Sequence, residues 1–296
     1  MNSADLAYEV FINEPPKQDN GNLPSGEPKS FPPLASTLIY GTRSAVLVDP
    51  GFTTDAANAL GDWVAGKGRD VSDIFITHGH GDHWFASGLL AKRFGARTVA
   101  TEGTIGQMHA NVAGRPYVWD KVYDGIPPSP VTAVTVPNNT FTLESRRLDI
   151  IEVGHTDTDA SSVLHVPDLE LVVAGDVIYN GAHLYLSETS LSGLDKWRAA
   201  IDRVESLGAR HIVAGHQDAN LDDDAARTIA TTREYLDIAE EALNVEKTPV
   251  DYYNAMITRY PEYQGRTVLW STAQAVYGIR ENPGKDPVKF IAGGWL

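Results

Sequence analysis

The apolar run Ile74-Phe75-Ile76-Thr77 leads directly into His78-Gly79-His80-Gly81-Asp82-His83, and this junction constrains the chain more than any other segment. A run of that kind reads as a buried strand, so the polar residues after it emerge at a strand's C-terminal edge, where α/β proteins place their sites. Side chains two apart in extended backbone share a face, which brings His78 and His80 together. Gly79 and Gly81 are expected to let the backbone turn tightly enough for Asp82 and His83 to reach the same space. A lone histidine is usually a core or surface residue. Three imidazoles and a carboxylate within six residues fit metal coordination better than packing.

Three later positions repeat the pattern of apolar run, glycine and ligand-type side chain. They are His155 after Ile150-Ile151-Glu152-Val153-Gly154, Asp176 after Val172-Val173-Ala174-Gly175, and His216 after Ile212-Val213-Ala214-Gly215. One edge of a layered sheet can gather all of them in one cleft. The chain has no cysteine, so His, Asp and Glu must supply every metal donor.

These residues resemble the metallo-β-lactamase superfamily of hydrolases, whose HxHxDH signature stands here as HGHGDH and is followed in the same order by His, Asp and His. The resemblance covers roughly residues 36–217. It implies an α/β fold, an αββα sandwich of two mixed β-sheets flanked by helices. It also implies a dinuclear centre with His78, His80 and His155 on one metal, Asp82, His83 and His216 on the other, and Asp176 between them. The cofactors would be two divalent ions, zinc first, with manganese or iron the other metals such donors suit. Asp49, after Val46-Leu47-Val48, corresponds to an early aspartate that orients the ligands; a plain turn residue before Pro50-Gly51 is the competing reading. Tyr179, three residues after Asp176, matches a tyrosine of the family's lactonases and so gains a catalytic role, against the alternative of simple packing. Tyr185 and His183 are weaker candidates for the same pocket, while His109, His165 and His211 read as structural or exposed.

The expected reaction is attack of a metal-bridged hydroxide on an acyl carbon, with Asp82 and Tyr179 assisting, most readily on a lactone or ester. Hydrolysis of β-lactams or of thioesters in the manner of glyoxalase II are the alternatives, and a metal-stabilised binding protein is the non-enzymatic one. Absence of cysteine excludes the lactamase class with a cysteine ligand. Asp176 disfavours the all-histidine class, and His80 stands where diiron oxygen-reducing relatives carry glutamate. The tail from Tyr252 onward shows no basic cluster for glutathione. Aromatic residues at Phe52, Trp84, Phe85, Tyr117, Trp119 and Tyr123 could line a pocket for a small apolar substrate, although each could equally be core or lid packing. The family often reads Ser/Thr-Pro-Gly-His in the segment that begins at its third histidine, whereas this chain runs Thr156-Asp157-Thr158-Asp159 after His155. Loop hydrogen bonding is the expected role of those two carboxylates, with a third metal or a substrate amine as the remote alternative.

With 24 basic against 39 acidic residues among 296 and a net charge of -15, the surface repels a phosphate backbone, so nucleic acid is not an expected partner. No stretch reaches the roughly 20 apolar residues needed to cross a bilayer, and Met1 to Val10 lacks the order of a signal peptide. A cytoplasmic location without membrane contact is expected, and a homo-oligomer is compatible with the composition.

Residues 1–35 read as a Pro/Gly-rich N-terminal arm and 36–296 as a single hydrolase domain with a helical extension from about 218. Strands are expected at 36–40, 45–49, 74–77, 98–101, 131–136, 148–153, 162–166, 169–174 and 211–214. Ser192 with Asp195 suggests a capping box opening a helix that Gly208 closes. Asp222-Asp223-Asp224 suggests the first turn of a helix reaching Asn244, and helix continues from Pro249 to Tyr277 before Asn282-Pro283-Gly284.

Overall fold

The computed structural model describes residues 6–14, 16 and 21–281, and the expected break at 282–284 lies outside them. The chain runs β1 (Ala7–Asn13), β2 (Leu34–Tyr40), β3 (Ser44–Val48), α1 (Thr54–Gly66), β4 (Asp70–Phe75), α2 (Gly81–Trp84), α3 (Ser87–Phe94), β5 (Arg97–Val99), α4 (Glu102–Gly114) and α5 (Trp119–Val122). It continues β6 (Thr140–Leu143), β7 (Arg146–Gly154), β8 (Ser161–Val166), β9 (Leu171–Gly175), α6 (Leu191–Glu205), β10 (His211–Ala214), α7 (Ala225–Val245), α8 (Pro249–Arg259) and α9 (Arg266–Glu281). The strands form two mixed five-stranded sheets, ordered β1-β2-β3-β4-β5 and β10-β9-β8-β7-β6.

Side-chain alternation explains the layering. In β3, Val46 and Val48 join an apolar layer with Phe75 of β4 and with Leu164, Val173 and Val213 of the second sheet. Their neighbours Ala45 and Leu47 face the other way, into a layer with Leu60, Val64 and Leu90 of α1 and α3. In β9 and β10, Val172, Ala174, Ile212 and Ala214 pack against Trp197 and Ile201 of α6, Leu236 of α7 and Leu269 of α9. Both faces of β3, β9 and β10 are buried, so their inner positions are apolar in succession instead of alternating with polar residues. Helix, sheet, sheet and helix follow, the expected αββα sandwich.

Several local expectations are corrected. Ala7–Asn13, placed by the sequence in an N-terminal arm, pairs antiparallel with β2 as an edge strand; the proline density that suggests an arm starts only at Pro15. No strand forms over 131–136, where Val134 makes a single bridge to Val99, while β6 forms where the sequence pattern points to no strand. The Ser192–Asp195 capping box does not form: Ser190 occupies the N-cap and Asp195 pairs with Arg198. The acidic run precedes its helix, with Asp224 capping the Arg227 N–H at 2.8 Å and Asp222 paired with the Arg227 guanidinium. The expected helical extension therefore begins at Ala225, and the helix expected from Pro249 is broken between α8 and α9. Among the described residues, no helix is long and apolar enough to cross a membrane.

Leu164 is fully buried between the sheets. Leu164→Ala should therefore cost about 2–5 kcal/mol of stability, read as a lower midpoint in urea unfolding; an unchanged midpoint would contradict the inter-sheet packing.

Candidate metal centre

β3, β4, β7, β9 and β10 all deliver their C-terminal ends to one edge of the sandwich. There they carry Asp49, His78 and His80, Asp157, Asp176 and His216, and α2 adds Asp82 and His83. Gly79 and Gly81 serve a different purpose from the tight turn expected of them, since neither has positive φ. A Cβ at Gly79 would lie 2.3 Å from Gln107 Cβ, and one at Gly81 2.1 Å from the Phe85 ring. They are glycines because α4 and Phe85 pass so close.

Three groups of side chains converge: His78, His80 and Asp157; Asp82, His83 and His216; and His78, His83 and Asp176. His83 Nε2 is 3.4 Å from Asp82 Oδ2 and 3.2 Å from Asp176 Oδ1, and His216 Nε2 is 3.3 Å from Asp82 Oδ2 and 3.5 Å from Asp176 Oδ2. Donors about 2.1 Å from a tetrahedral ion stand roughly 3.4 Å apart. His78 Nε2, His83 Nε2, Asp157 Oδ2 and Asp176 Oδ1 are buried without a hydrogen-bond partner. Unpaired buried atoms of this kind are costly, and a shared cation satisfies them together. The donor set fits divalent metals.

Each imidazole is anchored through its other nitrogen. His83 Nδ1 donates to Asp49 Oδ2 at 2.9 Å, His216 Nδ1 to the Pro33 carbonyl at 2.9 Å, and His80 Nε2 to Glu188 Oε1 at 3.0 Å. Thr77 Oγ1 donates to Asp49 Oδ2 at 2.7 Å, which leaves it to accept from His78 Nδ1 at 3.0 Å. These bonds fix the tautomers so that His78, His83 and His216 present Nε2, and His80 presents Nδ1, to the cluster. Asp49 thus orients His83 directly, as a ligand-orienting aspartate should.

Electrostatics follow from the packing. Burial works to raise Asp82 and Asp176, but the charges of His83 and His216 outweigh it, bringing Asp82 down to about 2 and Asp176 well below the usual carboxylate range. Burial opposes protonation of His80, His83 and His216, yet their carboxylate neighbours hold all three above the ordinary histidine value. Burial and the charge of His83 keep His78 low. Burial, then Asp176, push the Tyr179 hydroxyl well up, so it stays protonated.

His155 is not brought into any of the three groups. Its Nδ1 bonds Asp159 at 2.8 Å, its Nε2 lies 3.4 Å from Thr189 Oγ1, and the ring sits against Gly193 of α6. Asp157, expected chiefly to hydrogen-bond within its loop, occupies the place beside His78 and His80. His183 lies apart from the cluster, bonded to Tyr235 and surrounded by tyrosines. His211 pairs with Asp223, and His109 is exposed.

The cluster opens into a cavity of about 220 Å³. Its lining includes His80, Asp82, Asp176 and His216, with Tyr179, Tyr185 and Glu188, and Gln107, Asn111, Trp119, Val122 and Tyr123 from the segment of α4 and α5. Phe31 and Val268 complete the wall. Phe31 packs 5.2 Å from Phe52, 5.5 Å from Tyr123 and 5.9 Å from His216, ring centre to ring centre. Trp84 and Phe85 are core residues instead, and Tyr117 is exposed. Phe31 and Glu188 carry no signal in the sequence, being a lone aromatic among prolines and a lone acid far from any motif.

The family model of the metallo-beta-lactamase superfamily matches residues 33–216. The chain belongs to this superfamily. Among solved structures, a metallo-beta-lactamase family protein from Thermus thermophilus is similar with a TM-score of 0.61 at 20% identity, covering 94% of this chain and 96% of that one. A metallo-beta-lactamase from Pontibacter korlensis has a TM-score of 0.57 at 18% identity, covering 79% and 99%. The metallo-beta-lactamase FIM-1 from Pseudomonas aeruginosa, in its mono-zinc form, has a TM-score of 0.52 at 14% identity, covering 79% and 92%. At these identities the likeness is one of fold. No curated protein matches the sequence. The chain is thus a hydrolase of the metallo-beta-lactamase superfamily with His/Asp groups that could hold metal ions.

Two measurements check the centre. Histidines held high contribute stability below about pH 6.5 that is lost as pH rises through their folded values; Asp82, held near 2, contributes stability above about pH 3.8 that is lost on acidification. Metal-stripped protein should be most stable between roughly pH 4 and 6.5, with His78 moving the optimum toward the upper end. Zinc should remove the alkaline decline, because metal replaces the protons; a level metal-free profile from about pH 6 to 9 would contradict the assignment. Asp49→Ala should weaken metal binding by about 10–100-fold in a chelator competition titration.

Proposed function

We propose that the chain is a two-metal hydrolase of small, uncharged lactones or esters with apolar acyl groups. The observation that carries this reading is the metal cluster's opening into an aromatic cavity whose described lining residues include no Lys or Arg. β-Lactam antibiotics and glutathione thioesters bring a carboxylate remote from the bond that is cleaved, which such a wall leaves unpaired, at a desolvation cost. A neutral acyl substrate brings none.

His78, His80, His83, His216, Asp82, Asp157 and Asp176 would hold the divalent ions, which when bound would supply a water of lowered pKa and polarise a carbonyl. The chain's own groups supply the rest. Tyr179 Oη donates to Asp176 Oδ2 at 2.6 Å, and its ring stacks on His216 with centroids 5.8 Å apart. That hydroxyl stays protonated at the cavity wall; its single proton, held by Asp176, would turn to an oxyanion developing on the acyl group once a metal takes that carboxylate oxygen. Phe31, Trp119 and Tyr123 exclude water and receive the acyl chain.

A hydrolysis screen over lactones, esters, thioesters, β-lactams and phosphodiesters with zinc, manganese or iron tests the reading. Neutral lactones or esters should be turned over best, and chelator should abolish the activity. Faster turnover of nitrocefin than of any neutral ester would overturn it in favour of β-lactam hydrolysis. Tyr179→Phe should lower kcat by about 10²-fold with KM little changed; an unaffected kcat would leave Tyr179 a packing residue.

A further inference from the structure

We infer that Asp157, in place of His155, is the third protein ligand of the first metal position, which makes the two halves of the centre chemically alike. The inference rests on reading the cluster as a two-metal centre and is independent of what is hydrolysed there.

The loop after β7 decides which side chain faces inward. Pairing of β7 with β8 slips between Glu152 and Gly154, and Gly154 adopts φ +91°, a conformation that glycine takes without strain. Strand parity is lost at that point, so distance along the sequence no longer says which residue reaches the site. Past the slip, the loop is held in place by specific bonds. Thr189 Oγ1 donates to the Thr156 carbonyl at 2.7 Å, and Thr158 Oγ1 donates to Glu188 Oε2 at 2.7 Å. Because Glu188 also accepts from His80 Nε2, one carboxylate fastens the loop to a ligand imidazole.

Within that loop the two candidates differ in what they have free. Both nitrogens of His155 face partners, Asp159 and Thr189. Asp157 is fully buried; its Oδ1 accepts from Thr156 Oγ1 at 2.7 Å, and its Oδ2 has no hydrogen-bond partner. That Oδ2 lies 2.8 Å from His80 Nδ1 and 3.4 Å from His78 Nε2, close to both without being aligned for a hydrogen bond to either. The donor atoms of His78, His80 and Asp157 lie within 4.8 Å of one another, close enough for one ion to touch all three.

The chemical consequence is a change in the donor set. With Asp157, the first position has His78, His80 and one carboxylate, and the second has His83, His216 and the carboxylate of Asp82, with Asp176 between them. Each half is then a two-histidine, one-carboxylate site, and the pair carries one more negative charge than a site completed by His155. Oxygen in place of imidazole also makes the first position a harder site, better suited to manganese or iron than three imidazoles are.

Metal content after zinc loading and desalting, measured by elemental analysis, separates the candidates without any substrate. His155→Ala should keep about two zinc per chain, and Asp157→Ala should keep about one; the reverse pattern, or two zinc in both variants, would overturn the inference. Asp157→Asn serves if the alanine variant fails to fold. Anomalous difference maps of zinc-loaded wild-type crystals decide the matter whichever variants fold: a peak within bonding distance of Asp157 Oδ2 is expected, and one at His155 refutes the proposal. Two bound zinc ions with no turnover of any ester or lactone would sink the proposed function while leaving this ligand assignment standing.

Discussion

Burial of Asp49, Asp82, Asp157 and Asp176 at one end of the sandwich is the constraint on which the rest of the structure depends. A carboxylate removed from water is costly unless it is paired and hydrogen-bonded. Here the balancing groups are His78, His80, His83 and His216, which share their positive charge with the carboxylates when protonated and can surrender it to metal ions. No single strand can assemble such a set. It requires parallel strands ending at a common edge, and the two mixed sheets with apolar faces on both sides supply that edge while keeping water from the far ends of the ligands.

Anchoring spreads the site through the fold. The four cluster imidazoles are held by Thr77, Glu188, Asp49 and the Pro33 carbonyl, residues far apart in sequence. Thr77 and Asp49 act within the first sheet's edge, whereas the bonds from His80 to Glu188 and from His216 to Pro33 join the edges of the two sheets. The cavity wall is more divided still: Phe31 precedes β2, Trp119 and Tyr123 belong to the segment after α4, and Val268 lies in α9. Such walls vary in shape without disturbing the donors beneath them.

The sandwich and most of the side chains that meet at its edge are legible in the sequence because they rest on local signals. An apolar run ending in glycine and then His or Asp announces both a strand and its functional edge, and this holds for Asp176 and His216; His78 follows its strand directly. His155 shows where such reading stops. The pattern that singles it out is the same, but a slipped register and a positive φ at Gly154 turn the following loop, and only tertiary bonds from Glu188 and Thr189 reveal that Asp157 faces inward. Helix starts mislead as well: Ser192 and Asp195 look like a cap, yet the helix starts at Leu191 with Ser190 at its N-cap. Strand β1 is hidden because an edge strand with half-buried positions lacks a strong apolar pattern.

The anchor of His216 differs in kind from the other three, since its acceptor is the main-chain carbonyl of Pro33 and not a side chain. Substitution at position 33 leaves a carbonyl in place, so this ligand is indifferent to point mutation of its anchor. It is sensitive instead to chain length: adding or removing a residue in the irregular segment before β2 would shift that carbonyl away from the imidazole. The same segment carries Phe31 into the cavity wall. Diversification of this region by insertion or deletion would therefore change the pocket and the metal site together, whereas exchange of residues at constant length can reshape the pocket alone.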